Sequence, residues 1–186
     1  MGPGAGVCDS SSMTAGGRTS ATDKSNRVIA AITDSWDHPR TMVGVSIIRD
    51  WAVRRGLDTA TLLRGSHIDP ATLTDPHALI EAQQEIAVIR NLVTAFDDRP
   101  GLGVELGQLY HLTAYGYFGY LLAACASVRE ITEKGLQYAL LTFAFSTMAA
   151  QVGDHGHYVL AMEADDVPAD VRRFVVERDV AATVQI

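Results

Sequence analysis

The stretch from Pro100 to Met148 limits what this chain can fold into more than any other part of the sequence. Two apolar segments within it, at 121–125 and 139–145, need a folded interior to keep them from water. Five of the chain's thirteen aromatic residues (six Tyr, five Phe and two Trp) fall within eleven positions of this stretch, and these are Tyr110, Tyr115, Tyr117, Phe118 and Tyr120. We therefore expect both the core and any ligand pocket to lie in this stretch.

The composition indicates one acidic domain. With 47% hydrophobic residues, a chain of 186 residues has enough apolar side chains for a single core. The 22 Asp and Glu residues outnumber 15 Lys and Arg, and the net charge of -7 should repel nucleic-acid phosphates. The two cysteines form no CxxC pair. The first residues lack the apolar core of a signal peptide, and no stretch reaches the roughly 20 apolar residues that a membrane span needs. We expect a soluble, cytoplasmic protein that does not enter a membrane.

A polar leader precedes a mostly helical domain in the predicted fold. Residues 1–41 are rich in Gly, Ser and Thr, so we expect a disordered leader there and a folded domain over residues 43–186. Apolar spacings of three to four residues, with capping residues such as Asp58 and Asp69, predict a series of helices. These cover residues 46–55, 59–64, 70–73, 80–96, 102–110 and 115–124.

A longer helix is predicted after residue 126. Ser127 and Glu130 fit a capping box, in which the serine hydroxyl and the glutamate each satisfy a free backbone N–H, so the helix should cover 128–145. Its second half is apolar on nearly all sides. We therefore expect Leu141 and Phe143 to lie in the main core.

The last part of the chain changes from helical spacing to strand spacing and back. Strands are predicted over 147–152 and 157–164, on either side of a hairpin turn at 153–156, and a final helix over 169–186. The predicted fold class is therefore α+β, a mostly helical domain with a small antiparallel β-hairpin or sheet near the C-terminus and a final helix.

No residue pattern predicts catalysis, a cofactor or a metal site. His111 has no partner three or four residues away, so a hydrogen-bonded or partly exposed histidine explains it better than a ligand to metal or haem. His155 and His157 lie in a turn without a nearby carboxylate pair. The glycine run at 101–107 does not match GxGxxG, and close helix packing explains it better. Cys125 has no basic neighbour and fits a packing role.

The tyrosine cluster is the better functional candidate. Tyrosines supply apolar walls with a polar tip, as a pocket for a small amphipathic molecule requires, but they could equally be core aromatics whose hydroxyls reach the surface. Both interpretations stay open at this stage. The candidate ligand-binding residues are Tyr110, His111, Tyr115, Tyr117, Phe118, Tyr120 and Phe143.

A pattern of glycines and leucines carries a family resemblance. It consists of Gly101-Leu102-Gly103, Leu106-Gly107, Gly116-x-x-Gly119-Tyr120-x-Leu122 and Ser127, in register from about Val45 to the C-terminus. In this pattern the chain resembles the N-terminal, arabinose-binding-domain-like sensory domain of AraC/XylS-type bacterial transcriptional regulators. The resemblance implies a small-molecule effector, a homodimer, and DNA contact only through a C-terminal helix-turn-helix domain that is missing from this sequence.

An apolar stripe on the last predicted helix suggests self-association. The stripe includes Val171, Phe174, Val175 and Ala182, and no later segment covers it, so we expect dimer contacts at Phe174, Ala182 and Ile186. The alternative is that its first half packs onto the same subunit. For the whole chain, the alternative to a regulator is a free-standing small-molecule or haem-binding protein.

Overall fold

The structure is a computed structural model that describes residues 27–30, 36–75, 77–152 and 157–186. In chain order the strands and α-helices are β1 (Arg27–Ala30), β2 (Arg40–Thr41), α1 (Val43–Val53), α2 (Thr59–Leu62), β3 (Leu79–Ile80), α3 (Ala82–Ala95), α4 (Leu102–Gly107), α5 (Gly116–Ala123), α6 (Val128–Gln137), β4 (Thr147–Val152), β5 (Tyr158–Glu163) and α7 (Ala169–Val184). Short 3-10 turns cover Pro70–Thr74, Leu112–Tyr115 and Ala139–Leu141. The α+β class is confirmed.

Side-chain caps set the beginnings of several helices. Asp58 accepts a hydrogen bond from the backbone N–H of Thr61 at 2.8 Å, at the start of α2. Asp69 does the same for the turn that begins at Pro70, with its acceptor 2.9 Å from the Ala71 nitrogen. These contacts confirm the predicted caps, and each satisfies one of the backbone donors that a helix start leaves free.

Two small antiparallel sheets complete the fold. β4 and β5 form the predicted hairpin, in register from Thr147 opposite Glu163. The predicted turn at 153–156 lies outside the described residues. β1 extends this sheet on the other side of β4, and β2 pairs with β3 to form a second sheet of two strands. The short second sheet was not predicted, because segments of two residues carry too little periodicity.

The folded part of the chain begins earlier than the predicted boundary near Val43. β1 pairs with β4 along Arg27–Ala30. Trp36 packs against the main core and its ring lies 5.3 Å from that of Phe145, while Arg40 is buried. The prediction of a disordered leader is therefore wrong for residues 27–30 and 36–41, and its remaining positions fall outside the described residues.

The predicted long helix over 128–145 is also wrong in its second half. α6 ends at Gln137, and beyond the 3-10 turn the chain becomes extended at Thr142. Leu141 is consequently 60% exposed, whereas Phe143 is 6% exposed and belongs to a second, smaller cluster of buried side chains. Periodicity failed here because both helix and extended chain can bury an apolar run when charged groups elsewhere satisfy its backbone.

The last helix packs against its own subunit. On α7, Val171, Phe174 and Val175 are all buried in the main core. The expected dimer contact at Phe174 is therefore wrong, and the alternative of packing within the subunit holds for this half of the stripe. No helix among the described residues is long and apolar enough to cross a membrane.

Candidate ligand cavity

A cavity of about 290 Å³ lies beside the smaller of the two apolar clusters. Parts of α5, α6, α7, the 3-10 turn before α5, the segment 142–144 and the sheet all border it. The lining residues are Tyr110, Tyr115, Phe118, Leu122, Val128, Ile131, Thr132, Gly135, Leu136, Thr142, Phe143, Ala144, Met148, Leu160, Arg178, Asp179, Ala182, Thr183 and Ile186.

Four buried aromatic rings form one wall. The ring centre of Phe143 lies 5.5 Å from that of Tyr110 and 5.2 Å from that of Tyr115, and Tyr115 meets Phe118 edge-on at 6.2 Å. Tilted and edge-on contacts at these separations are favourable for aromatic side chains. The wall is therefore a packed surface formed before any ligand arrives.

A tight turn brings two of these rings together. Gly116 has a φ of +54°, a backbone conformation that favours glycine, and it links the Leu112–Tyr115 turn directly to α5. A Cβ atom on Gly119 would lie 1.9 Å from the carbonyl oxygen of Leu112, so α5 can fold back onto the turn only with glycine at that position. This close approach places Phe118 beside Tyr115.

Arg178 of α7 forms the polar end of the cavity. Its side chain is 1% exposed. One terminal nitrogen donates to Glu85 at 3.1 Å, and the other donates to the carbonyl oxygen of Phe143 at 2.7 Å. Nε and the second terminal nitrogen both bind Asp179 Oδ1, at 3.0 and 2.8 Å. A buried guanidinium needs such partners, and here it has them.

Asp179 uses its second oxygen to hold the chain that leads into the sheet. Oδ2 accepts hydrogen bonds from the backbone N–H groups of Phe145 and Ser146, each at 2.9 Å, and from the Ser146 hydroxyl at 2.8 Å. Arg40 lies 3.7 Å from the remaining oxygen of Glu85. Two arginines and two carboxylates thus share one buried network in which the opposite charges are equal in number.

The charge states follow from burial and from these partners. Burial raises the pKa of Glu85, and Arg178 and Arg40 oppose that change only in part. Burial also lowers the pKa of Arg178, but the neighbouring Asp179 and Tyr110 reverse this and hold it above its ordinary value. The guanidinium at the cavity end is therefore permanently charged, with its charge offset by its own neighbours.

The structure separates the predicted ligand-binding residues into two groups. Tyr110, Tyr115, Phe118 and Phe143 line the cavity. The other three do not: Tyr117 is 94% exposed, Tyr120 is 74% exposed and His111 is also exposed. In α5 the residues that point inward recur every four positions, so Tyr117 and Tyr120 occupy the outer face.

Sequence analysis missed the contribution of α7. Ala182 and Ile186 were predicted as dimer contacts, but both line the cavity, together with Arg178, Asp179 and Thr183. A signal for this role was present in the sequence, because Arg178 continues the apolar stripe at four-residue spacing from Phe174. A charge on an apolar stripe indicates a buried polar site.

No histidine or cysteine belongs to the residues that line the cavity. Within the described ranges, there is also no group of three or more His, Cys, Asp and Glu side chains that could hold a metal ion. The cavity wall consists instead of aromatic and aliphatic side chains with one charged end. This composition is typical of a site for a small organic molecule.

Comparison with known sequences places the chain in a family. A sequence model of the N-terminal arabinose-binding domain of AraC transcription regulators matches residues 56–186. The chain belongs to this family. All four cavity-lining aromatics fall within the matched range of this AraC-type domain, as does the whole of α7. The family assignment confirms the resemblance noted from the glycine and leucine pattern, and it points to a transcriptional regulator.

Two relatives are named as uncharacterised HTH-type transcriptional regulators, one from Mycobacterium tuberculosis and one from Mycobacterium bovis. Each is 33% identical over 148 residues, which is 79% of this chain and 42% of the relative. The AraC-type domain therefore spans less than half the length of these relatives. A comparison with solved structures gives no significant match.

Proposed function

We propose that this chain is the effector-sensing and dimerisation domain of an AraC/XylS-type transcriptional regulator and that the cavity is its effector site. The observation that carries the proposal is a cavity of about 290 Å³, walled by four packed aromatic rings and closed at one end by a buried ion network. Pockets for small molecules are largely formed in advance, mostly apolar and equipped with few polar groups.

The contacts of α7 provide a route from the cavity to the rest of the domain. Arg178 and Asp179 reach the cavity and also hold the backbone of 143–146. On its other side, α7 packs against α4 so closely that Gly103 and Gly107 meet its backbone. A ligand that shifts Arg178 or Asp179 would therefore move groups tied to both clusters.

In the complete regulator, DNA contact would belong to a helix-turn-helix domain outside this chain. The relatives are named HTH-type transcriptional regulators, whereas this chain carries a net charge of -7 that disfavours contact with phosphates. A homodimer would present two such domains to paired half-sites. Such a regulator acts in the cytoplasm, where the DNA of a bacterium lies.

A thermal-shift screen tests the effector site. The purified chain is heated alone and with three probes of similar size and different chemistry: naphthalene, 2-naphthoate and arabinose. A molecule that binds the folded state raises its melting temperature. We expect at least one probe to do so.

The matched control is Gly135→Leu. Gly135 borders the cavity, and a Cβ atom there would meet no heavy atom within 4 Å, so a larger side chain can fill part of the space. The probe that raises the melting temperature of the parent should not raise that of this variant. If no probe shifts the parent, or if the shift persists in the variant, the cavity is not the effector site.

A further inference from the structure

We propose that the effector is a neutral, mainly apolar molecule with one oxygen function, which accepts a hydrogen bond from the Tyr115 hydroxyl. This inference rests on the proposed function, because it assumes that the cavity is the effector site. The proposed ligand class therefore differs from the sugar that the family is named after, arabinose. Four features of the cavity support it.

The first feature is the scarcity of polar atoms around the space. Most of the lining side chains carry no hydrogen-bonding group at all. Besides Phe118 and Phe143, these are Leu122, Val128, Ile131, Leu136, Ala144, Met148, Leu160, Ala182 and Ile186. A sugar presents a hydroxyl on nearly every carbon, and each one buried against such a wall loses its hydrogen bonds to water without replacement.

The second feature is that the threonine hydroxyls are already committed as donors. Thr132, Thr142 and Thr183 each donate to a backbone carbonyl of the described chain, at 2.8, 2.6 and 2.8 Å. Tyr110 likewise donates to the carbonyl oxygen of Gly44, at 3.4 Å. These four hydroxyls keep the capacity to accept a hydrogen bond, but their protons are unavailable to a ligand.

The third feature is the balance of charge at the polar end. Arg178 has its partners in Glu85, Asp179 and the Phe143 carbonyl, and both oxygens of Asp179 are bonded. An anionic ligand would find a guanidinium already paired and a carboxylate beside it. A cationic ligand would find the same carboxylate already occupied. Neither charge would recover its lost hydration, so a neutral ligand is favoured.

The fourth feature is one hydroxyl that is not committed. Tyr115 lines the cavity, and within the described residues its hydroxyl makes no hydrogen bond, while its ring is fixed against Phe118 and Phe143. Burial raises the pKa of Tyr115 to about 12, so the hydroxyl keeps its proton at neutral pH. It can therefore donate to a carbonyl, ether or hydroxyl oxygen of the ligand.

The volume bounds the size of the molecule. The 290 Å³ of the cavity correspond to roughly ten water molecules at liquid density, about 30 Å³ each. A methylene group needs a similar volume, so the ligand would have about ten non-hydrogen atoms. Bicyclic phenols and ketones, or alcohols of medium chain length, fall within this range.

Isothermal titration calorimetry of the whole chain tests the proposal with four probes: 2-naphthol, naphthalene, 2-naphthoate and arabinose. We expect 2-naphthol to bind at least about tenfold more tightly than either 2-naphthoate or arabinose. We expect Tyr115→Phe to lower the affinity for 2-naphthol by about three- to tenfold, which corresponds to the loss of one hydrogen bond. The affinity for naphthalene should not change. The variant should fold, because it removes only an oxygen that has no hydrogen-bond partner among the described residues.

The outcomes separate this inference from the proposed function. If arabinose or 2-naphthoate binds the parent as well as 2-naphthol does, and Gly135→Leu abolishes that binding, the ligand class is wrong while the effector site stands. If Tyr115→Phe lowers the affinities for naphthalene and 2-naphthol equally, a hydrogen bond is not the cause, and the proposed role of Tyr115 as a donor to the ligand is wrong. If none of the four probes binds, both the effector site and the inference fail.

Discussion

At the level of single residues, Arg178 and Asp179 explain why the chain leaves its helical path after Gln137. Once the backbone is extended near Phe143, its carbonyl and N–H groups lose their partners within a helix. The guanidinium of Arg178 takes one carbonyl, and the carboxylate of Asp179 takes the N–H groups of Phe145 and Ser146. Two adjacent side chains of α7 thus replace the hydrogen bonds of a helical turn.

We predict that Arg178→Met destabilises the domain by about 3–5 kcal/mol, because it leaves Asp179 buried without a cation and leaves Glu85 with only Arg40, 3.7 Å away. The free energy of unfolding from urea denaturation measures this. Arg173→Ala is the matched control on the same helix, since Arg173 pairs with Asp98 at the surface and should contribute less than about 1 kcal/mol. Equal effects of the two substitutions would contradict the buried network.

A second pair of residues tests the corrected path of this segment. Phe143→Ala should cost about 3–5 kcal/mol, because the ring is buried against Tyr110 and Tyr115. Leu141→Ala, two residues away, should change stability by no more than about 0.5 kcal/mol, because Leu141 is exposed. The melting temperatures of both variants check this. A large decrease in the melting temperature of Leu141→Ala would instead support a continuous helix over 128–145.

At the level of elements, α4 and α7 pack with their backbones in direct contact. A Cβ atom on Gly103 would lie 2.2 Å from the carbonyl oxygen of Phe174, and one on Gly107 would lie 2.5 Å from that of Arg178. The side chain of Glu177 also accepts the backbone N–H groups at the start of α4. The glycine run predicted to serve helix packing does so.

We predict that Gly103→Ala destabilises the domain by about 1–3 kcal/mol, since one methyl group would force the two helices apart. Gly135→Ala in α6 is the control, because its Cβ atom has free space and alanine is the better helix former by about 1 kcal/mol. Chemical denaturation should therefore move the two variants in opposite directions. If Gly103→Ala left the free energy of unfolding unchanged, α4 and α7 would have to lie farther apart than the structure shows.

At the level of the whole molecule, the described residues pack into two clusters that meet along α7. The main cluster gathers side chains of α1, α3, α4 and the first half of α7. The smaller one contains the aromatic wall of the cavity together with Ala182. Because one helix serves both clusters, occupation of the cavity can affect the stability of the entire domain.

The proposed homodimer is tested at this scale. We expect sedimentation of the 186-residue chain to show a dimer at high micromolar concentration, with dissociation on dilution. Truncation after Glu177 is not a usable control, because it would remove Arg178 and Asp179 from the core. A chain that remains monomeric throughout this range would contradict self-association of the domain.

The sequence by itself determined the features that depend on neighbouring residues. Capping side chains such as Asp58 and Ser127 fixed helix starts, because each reaches a backbone N–H within three positions. Strand spacing over 147–152 and 157–164 indicated the hairpin, and the glycines at 103 and 107 indicated close helix packing. These signals are local, so one sequence was sufficient to find them.

Only the tertiary structure decided where the helix after Ser127 ends and which aromatics face the cavity. Arg178 is 35 residues from the Phe143 carbonyl that it binds, so the end of α6 depends on a partner that periodicity cannot detect. Tyr115 and Tyr117 are of the same residue type and lie two positions apart, yet one is buried and the other is exposed. The sharp turn at Gly116, between the Leu112–Tyr115 turn and α5, determines that difference. It sets which side chains face the cavity and which face outward.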